Sequence, residues 1–311
     1  MSIIFFGTPD FAVPSFQALL DAGEDVRLVI TQPNKLKGRG HKLSIPPVKQ
    51  AALANSIEVE QPTNIRTDEF AEKISLLEPE FIIVVAYGKI LPRRILDIPQ
   101  RGCVNVHASL LPQYRGAAPI QWALINGESF TGVTTMLMNE GLDSGDILLQ
   151  REEKILDDDN AMTLFERLSH LGGQLIIETV NGMRKGIVKP VPQTGEPTYA
   201  PPLKKENGRI NWNMPAKKIE AFIRGVTPWP SAFCFFYQER IKILKASQQS
   251  AVGSRQSAVL GRIQQTPSGE LVVETGEGML LIEELQPEGK KTMSGKAFAA
   301  GRRITEESFL S

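Results

Sequence analysis

Over the first 183 residues, short apolar runs alternate with segments whose apolar residues recur at helical spacing. Ser2–Phe6 and Asp25–Thr31 read as strands, with a helix at Phe11–Ala22 between them. Pro46–Asn55 and Thr67–Leu77 have the helical period. Phe81–Ala86, "FIIVVA", is the continuous apolar run expected of a strand covered on both faces. Gly102–His107 reads as the next strand, Ala117–Asn126 as a helix, and Thr131–Met138 and Ile147–Gln150 as strands. Ala161–Met183 has the stripe of a long amphipathic helix. This alternation predicts a mostly parallel sheet with helices on both faces.

The pattern stops between Lys189 and Asn207. "KPVPQTGEPTYAPPLKKENG" has the Pro-rich, polar composition of a linker. Beyond it one helix is expected at Pro215–Gly225. Short strands then follow at Ala232–Tyr237, Ile241–Ala246, Gly261–Gln264, Glu270–Glu274 and Met279–Leu285, the spacing of a small antiparallel barrel. "SQQSAVGSRQSAVLG" is low in complexity and is expected to be a mobile loop of that barrel. The chain therefore divides into a domain at 1–189, a linker at 190–207 and a second domain at 208–311.

Composition narrows the class. The chain has 311 residues, 41% of them hydrophobic and 23% charged, which is ample for two cores. No apolar run approaches the roughly 18 residues of a membrane span. The opening residues are expected to be a strand, not a leader, because Gly7, Pro9 and Asp10 interrupt them and no basic region precedes them. Two cysteines, Cys103 and Cys234, form no motif and fit unpaired core thiols in a reducing cytoplasm. The net charge is zero but segregated. Lys204–Ser311 holds 16 basic and 11 acidic residues, whereas the remainder holds 19 and 24. A basic domain on an acidic body points to a polyanionic partner, although ordinary surface variation gives the same count.

The candidate chemistry begins in "VNVHASLLPQYRGAAP". Strand alternation puts Asn105 and His107 on one face, and Cys103 with them. Ligands of open α/β sheets lie beyond the carboxyl ends of the strands, where His107 closes its strand. Asp143 follows 36 residues later, in the Gly-flanked loop "MNEGLDSGD", and is expected to return to the same rim. An amide, an imidazole and a carboxylate suit acyl transfer to an amine. The imidazole moves a proton, the carboxylate orients it, and the amide N–H₂ donates to an oxyanion. Two other readings remain open on these residues alone. One is a satisfied polar pair with no chemistry. The other is a metal site of His107, Asp143 and Asp146, though the chain has neither HExxH nor CxxC.

"NVHASLLPQYRGAAPIQWALINGE" followed by "GVTTMLMNEGLDSGDIL" resembles the 10-formyltetrahydrofolate-dependent formyltransferases. The likeness extends through "FFGTPDFAVPSFQALL", "TQPNKLKGRGHKL", "VVAYGKILP", "PWPSAF" and "LQPEGKKTMSG", nearly the whole chain. The resemblance implies a Rossmann-like catalytic domain followed by an OB-like barrel that binds tRNA. It makes Asn105, His107 and Asp143 the catalytic set, and Ser109, Leu110, Leu111 and Pro112 the folate loop. The pterin is expected against the backbone of 85–91 and 139–143. The implied reaction moves a formyl group from 10-formyltetrahydrofolate to the α-amino group of methionine on initiator tRNA, with no metal.

The glycine-punctuated loop "NKLKGRGHK" packs together Lys35, Lys37, Arg39, His41 and Lys42, which suits phosphates as well as it suits a solvated surface. In the family, the matching loop reaches the acceptor stem, so Lys35, Lys37, Arg39 and Lys42 are the expected tRNA contacts. The barrel adds Arg209, Lys217, Lys218, Arg224, Lys290, Lys291, Lys296, Arg302 and Arg303. Formylation of a sugar-nucleotide amine or of glycinamide ribonucleotide is the alternative within the same chemistry. A nicotinamide dehydrogenase is disfavoured because "FGTPDF" has one glycine and no GxGxxG. A non-catalytic RNA-binding module leaves Asn105, His107 and Asp143 unexplained. A cytoplasmic monomer is expected.

Overall fold

The computed structural model describes residues 2–37, 42–249, 259–302, 304–305 and 307–311. They form two compact units. The first comprises 1–119, 130–154 and 165–201, and the second 120–129, 155–164 and 202–311. The stretch read as a linker, 190–207, contains the division between Pro201 and Pro202. Its residues up to 200 hydrogen-bond to the first unit: Val191 pairs with Ile147, and Tyr199 with Arg115.

In the first unit the strands are β1 (Ser2–Gly7), β2 (Asp25–Ile30), β3 (Lys35–Lys37), β4 (Lys42–Ser44), β5 (Glu58–Glu60), β6 (Pro79–Val85), β7 (Cys103–His107), β8 (Phe130–Leu137) and β9 (Ile147–Lys154). The helices are α1 (Val13–Asp21), α2 (Pro47–Ala54), α3 (Asp68–Ser75) and α4 (Arg93–Leu96). Next come α5 (Pro119–Asn126), which belongs almost entirely to the second unit, and α6 (Ala161–Arg184), which enters the first unit at Phe165. Seven strands join in the order β5-β2-β1-β6-β7-β8-β9. β5 to β7 run parallel, while β8 and β9 are antiparallel. The order reverses between β1 and β6, the place where such sheets leave a crevice.

β1 and β6 are buried at every position, as the apolar runs 3–6 and 81–85 within them require. On one face Ile4, Phe6, Ile82, Val84 and Cys103 pack against Phe70 and Ile74 of α3 and Ile95 of α4. On the other, Phe16 of α1 packs at a tilt against Phe5, and Thr179 of α6 hydrogen-bonds Thr135. Two features escaped the sequence reading. Residues 35–37 and 42–44 pair as the antiparallel strands β3 and β4 where a loop was expected, and 38–41 lie outside the described residues. β8 is antiparallel. It starts beside the rim, with Thr134 opposite His107, and leads away from it to Leu137 opposite Val104.

The second unit carries α7 (Ala216–Val226), β10 (Ala232–Phe236), β11 (Glu239–Gln249), β12 (Ile263–Gln265), β13 (Leu271–Glu274), β14 (Met279–Pro287), β15 (Met293–Ser294) and α8 (Gly295–Ala300). Its sheet is antiparallel, in the order β10-β11-β14-β13-β12, with β15 on β14. Residues 308–311 link its two outer strands. Ser311 exchanges both backbone hydrogen bonds with Phe235, and Ser308 O accepts from Ile263 N–H. That segment pairs part of both outer edges of the six-stranded sheet, which would otherwise be left open. Of the stretch expected as a mobile loop, 247–249 extend β11 and 250–258 lie outside the described residues.

Both thiols are core groups. Burial pushes the Cys103 thiol up to about 12, with Asp97 adding to it, and burial also raises Cys234. The folded protein should therefore leave both thiols unmodified by an aromatic disulfide reagent at neutral pH, and two should react after denaturation. Stoichiometric labelling of the native protein would contradict this packing.

Candidate active site at the rim of the parallel sheet

β7 is apolar on the α1–α6 face through Val104 and Val106. It presents Cys103, Asn105 and His107 on the other. Cys103 is sealed under α4. Two residues on, Asn105 retains 9% exposure and His107 6%. Among the described residues the Asn105 side chain makes no hydrogen bond, so its amide protons are free for a ligand. Buried polar groups are otherwise almost always paired.

The imidazole is fixed by the loop that follows its own strand. His107 Nε2 lies 3.0 Å from the Tyr114 carbonyl oxygen. A carbonyl only accepts, so Nε2 carries the proton, and in the neutral ring Nδ1 presents a lone pair. Nδ1 faces Asp143 Oδ2 at 3.8 Å, too far for a hydrogen bond. The ring is thus oriented by a main-chain carbonyl and not by the carboxylate that the sequence reading gave this task. Asp143 Oδ2 is itself held by the Gly116 N–H at 2.8 Å. Gly116 stands at φ +120°, a conformation that favours glycine.

Asp143 reaches this place by an unexpected route. Because β8 leads away from the rim, residues 138–146 must climb back over the Asn105–His107 face. Met138 packs on the core that contains Cys103. Gly145 passes so close to β8 that a Cβ there would overlap the Leu137 carbonyl.

The loop expected to hold folate, Ser109 to Pro112, is pinned by two residues that sequence reasoning missed. Thr134 Oγ1 donates to Ser109 O at 2.6 Å and accepts from the Leu111 N–H at 3.1 Å. Gln150 Nε2 donates to Leu111 O at 2.8 Å and to Thr134 Oγ1 at 3.0 Å. Ser109 is fully buried and its hydroxyl donates to Gln113 O at 2.6 Å, so that side chain serves the turn. Thr134 and Gln150 left no sequence signal beyond two polar residues at neighbouring strand positions. Along 85–91, Ala86 and Gly88 are exposed at positive φ while Tyr87 is buried against Phe6. Burial pushes the Tyr87 phenol up to about 12. Ile90 and Leu142 are apolar and more than half exposed, at 54% and 52%.

Of the expected tRNA contacts, Lys35 is exposed at the base of the β3–β4 hairpin. Lys37 and Lys42 pair across it through the backbone. Arg39, like the side chains of Lys37 and Lys42, lies outside the described residues. In the second unit Lys217, Lys290, Lys291 and Lys296 are exposed, Arg224 binds Glu220, Arg302 binds Glu239, and Arg303 lies outside the described residues. Among the described residues no three His, Cys, Asp or Glu side chains gather as a metal-binding group, His107, Asp143 and Asp146 included.

Residues 1–180 match the formyl transferase family model, and 202–303 match the model of the formyl transferase C-terminal domain. The chain is 57% identical to the methionyl-tRNA formyltransferase of Thermodesulfovibrio yellowstonii over 98% of this chain and 97% of that one. It is 47% identical to the methionyl-tRNA formyltransferase of Pelobacter propionicus over 99% and 96%. Among solved structures it resembles an N-formyltransferase from Helicobacter canadensis in complex with folinic acid and dTDP-3-aminofucose. The TM-score is 0.67 at 18% identity, over 90% of this chain and 97% of that one, a likeness of fold alone.

Replacing Thr134 by the isosteric valine strands the buried Leu111 N–H and weakens the hold on Ser109. The expected loss is about 1–3 kcal/mol of stability, read as a lower urea midpoint. An unchanged midpoint would show that the loop needs no such pin.

Proposed function

The chain belongs to the formyl transferase family, and we propose that Asn105, His107 and Asp143 carry the transfer of a formyl group from 10-formyltetrahydrofolate to the α-amino group of methionyl initiator tRNA. The product is N-formylmethionyl-tRNA for translation initiation. The observation that carries the site assignment is the meeting of His107 Nδ1, unprotonated in the neutral ring, with the Asp143 carboxylate, two residues beyond an unpaired Asn105 amide.

The chemistry follows from those three groups. A free α-amine has a pKa of about 7.7–8.0, so a useful neutral fraction exists near pH 7. Its lone pair attacks the formyl carbon. Negative charge collects on the formyl oxygen, where the Asn105 N–H₂ donates; one such donor contributes about 3–4 kcal/mol in a related setting. The attacking nitrogen becomes cationic and releases its proton to His107 Nδ1. The Asp143 carboxylate then faces an imidazolium 3.8 Å away, an attraction of about 4 kcal/mol at an effective dielectric near 20, offset in part by desolvation. The bond from the formyl carbon to the folate nitrogen breaks, and that nitrogen takes the proton from Nδ1. One C–N bond forms, one breaks, and one proton passes between the nitrogens. No step needs a metal ion.

The folate is assigned to the crevice beside the switch between β1 and β6. The loop Ser109 to Pro112, pinned to Thr134 of β8 and Gln150 of β9, flanks the rim from the other side, and Ala86, Gly88, Ile90 and Leu142 expose backbone and apolar surface suited to a flat heterocycle. The β3–β4 hairpin with Lys35, Lys37, Arg39 and Lys42 is assigned to the tRNA end, and 208–311 to the tRNA body, on their basic balance. No described helix is long and apolar enough to cross a membrane. The reading extends to a monomer acting in the cytoplasm.

Formyl transfer to charged initiator tRNA should fall by about 10²–10⁴-fold in His107→Ala. In Asn105→Ala it should fall by about 10²–10³-fold, and in both variants folate affinity should persist. Full turnover in His107→Ala would overturn the assignment. Arg39→Ala should make the salt dependence of tRNA binding shallower by about one phosphate contact. An unchanged slope would remove the hairpin from the interface.

A further inference from the structure

Between Lys189 and Tyr199 every residue is exposed except Gln193. Its side chain uses its full hydrogen-bonding capacity, two donors and two acceptor lone pairs. Nε2 donates to Asp143 O at 2.9 Å and to Gly145 O at 2.8 Å. Oε1 accepts from Arg115 Nη2 at 2.6 Å and Nε at 3.2 Å. Arg115 is tied by its own backbone to the same segment, its N–H to Thr198 O at 2.9 Å and its O to the Ala200 N–H at 2.7 Å. It stands between Tyr114, whose carbonyl orients His107, and Gly116, whose N–H holds the Asp143 carboxylate.

Gln193 therefore joins the two loops that carry the pair. One is 114–116. The other is 143–145, which no strand places at the rim, since β8 leads away from it. Asp143 also stands at φ +46°, a left-handed conformation that Asp tolerates better than most residues but that still costs energy relative to the ordinary regions. Its carbonyl is one of the two atoms that Gln193 grips. We infer that Gln193, held by Arg115, is a positioning residue for formyl transfer, fixing the Asp143 loop so that the carboxylate faces His107 Nδ1. The inference rests on the proposed role of the His107–Asp143 pair.

Gln193→Glu keeps the shape and turns both donors into acceptors against two carbonyl oxygens. Gln193→Met keeps the length without hydrogen bonds and serves if the first variant does not fold. Both should lower kcat by about 10–100-fold, the scale of a misplacement near 1 Å, with KM for 10-formyltetrahydrofolate and for tRNA within about threefold of the parent. In an Asp143→Asn background, measured as single-turnover rates, Gln193→Met should cause no further loss, because its effect passes through Asp143. An unchanged kcat, a raised KM at intact kcat, or an equal loss in the Asp143→Asn background would each overturn the inference. Asp143→Asn at full turnover would instead overturn the catalytic role of the pair, a result distinguishable from a silent Gln193 variant beside an impaired Asp143→Asn.

Discussion

The site depends on one hydrogen bond, from His107 Nε2 to the carbonyl of Tyr114. A carbonyl has no proton to give, so this contact sets the tautomer and decides which nitrogen can take a proton from the amine. It requires the chain to turn back on itself within seven residues of the strand end. Tyr114 sits at φ +60°, a left-handed conformation that the loop must enforce. Thr134 and Gln150 hold the first part of that turn to the sheet, and pairing of Arg115 with Thr198 and Ala200 holds the last part. Rigidity here serves chemistry directly, because the ring must keep its face toward Asp143 while the proton moves.

Around that bond the sheet acts as a bench. Its central strands are buried on both faces and place the ends of β6 and β7 side by side. β7 changes from apolar to polar on one face within five residues, where the cover of α3 and α4 gives out. The carboxylate arrives by a different means. The antiparallel β8 removes the chain from the rim, and a loop brings it back under the hold of Gly116 and Gln193. Strand geometry positions the base, and a hydrogen-bonded loop positions its partner.

Much of this was legible in the residues. Phe81–Ala86 read as a covered strand, and β6 is buried as far as Val85, while strand alternation alone put Asn105 and His107 on one face. The β3–β4 hairpin was not legible, because three-residue arms reading Lys-Leu-Lys and Lys-Leu-Ser are too short to show a period. Nor was the direction of β8, since a largely buried strand looks the same from one sequence whether it is parallel or antiparallel. Gln193 escaped because composition averages over its neighbours, and a single ordered side chain in a Pro-rich exposed stretch leaves no pattern. Closure of the second sheet by residues 308–311 escaped for the same reason: one bridge each to Phe236 and Arg262 has no periodicity.

The most direct measurement is the tautomer of His107 in the folded protein, read from its imidazole nitrogen-15 shifts by NMR. The chain has 3 histidines, so assignment needs only His41 and His170 replaced in turn. For the neutral form of the ring the account predicts a proton at Nε2 and a bare Nδ1. A ring protonated at Nδ1 and bare at Nε2 would contradict it, because the lone pair would then point at the Tyr114 carbonyl and no acceptor would face Asp143.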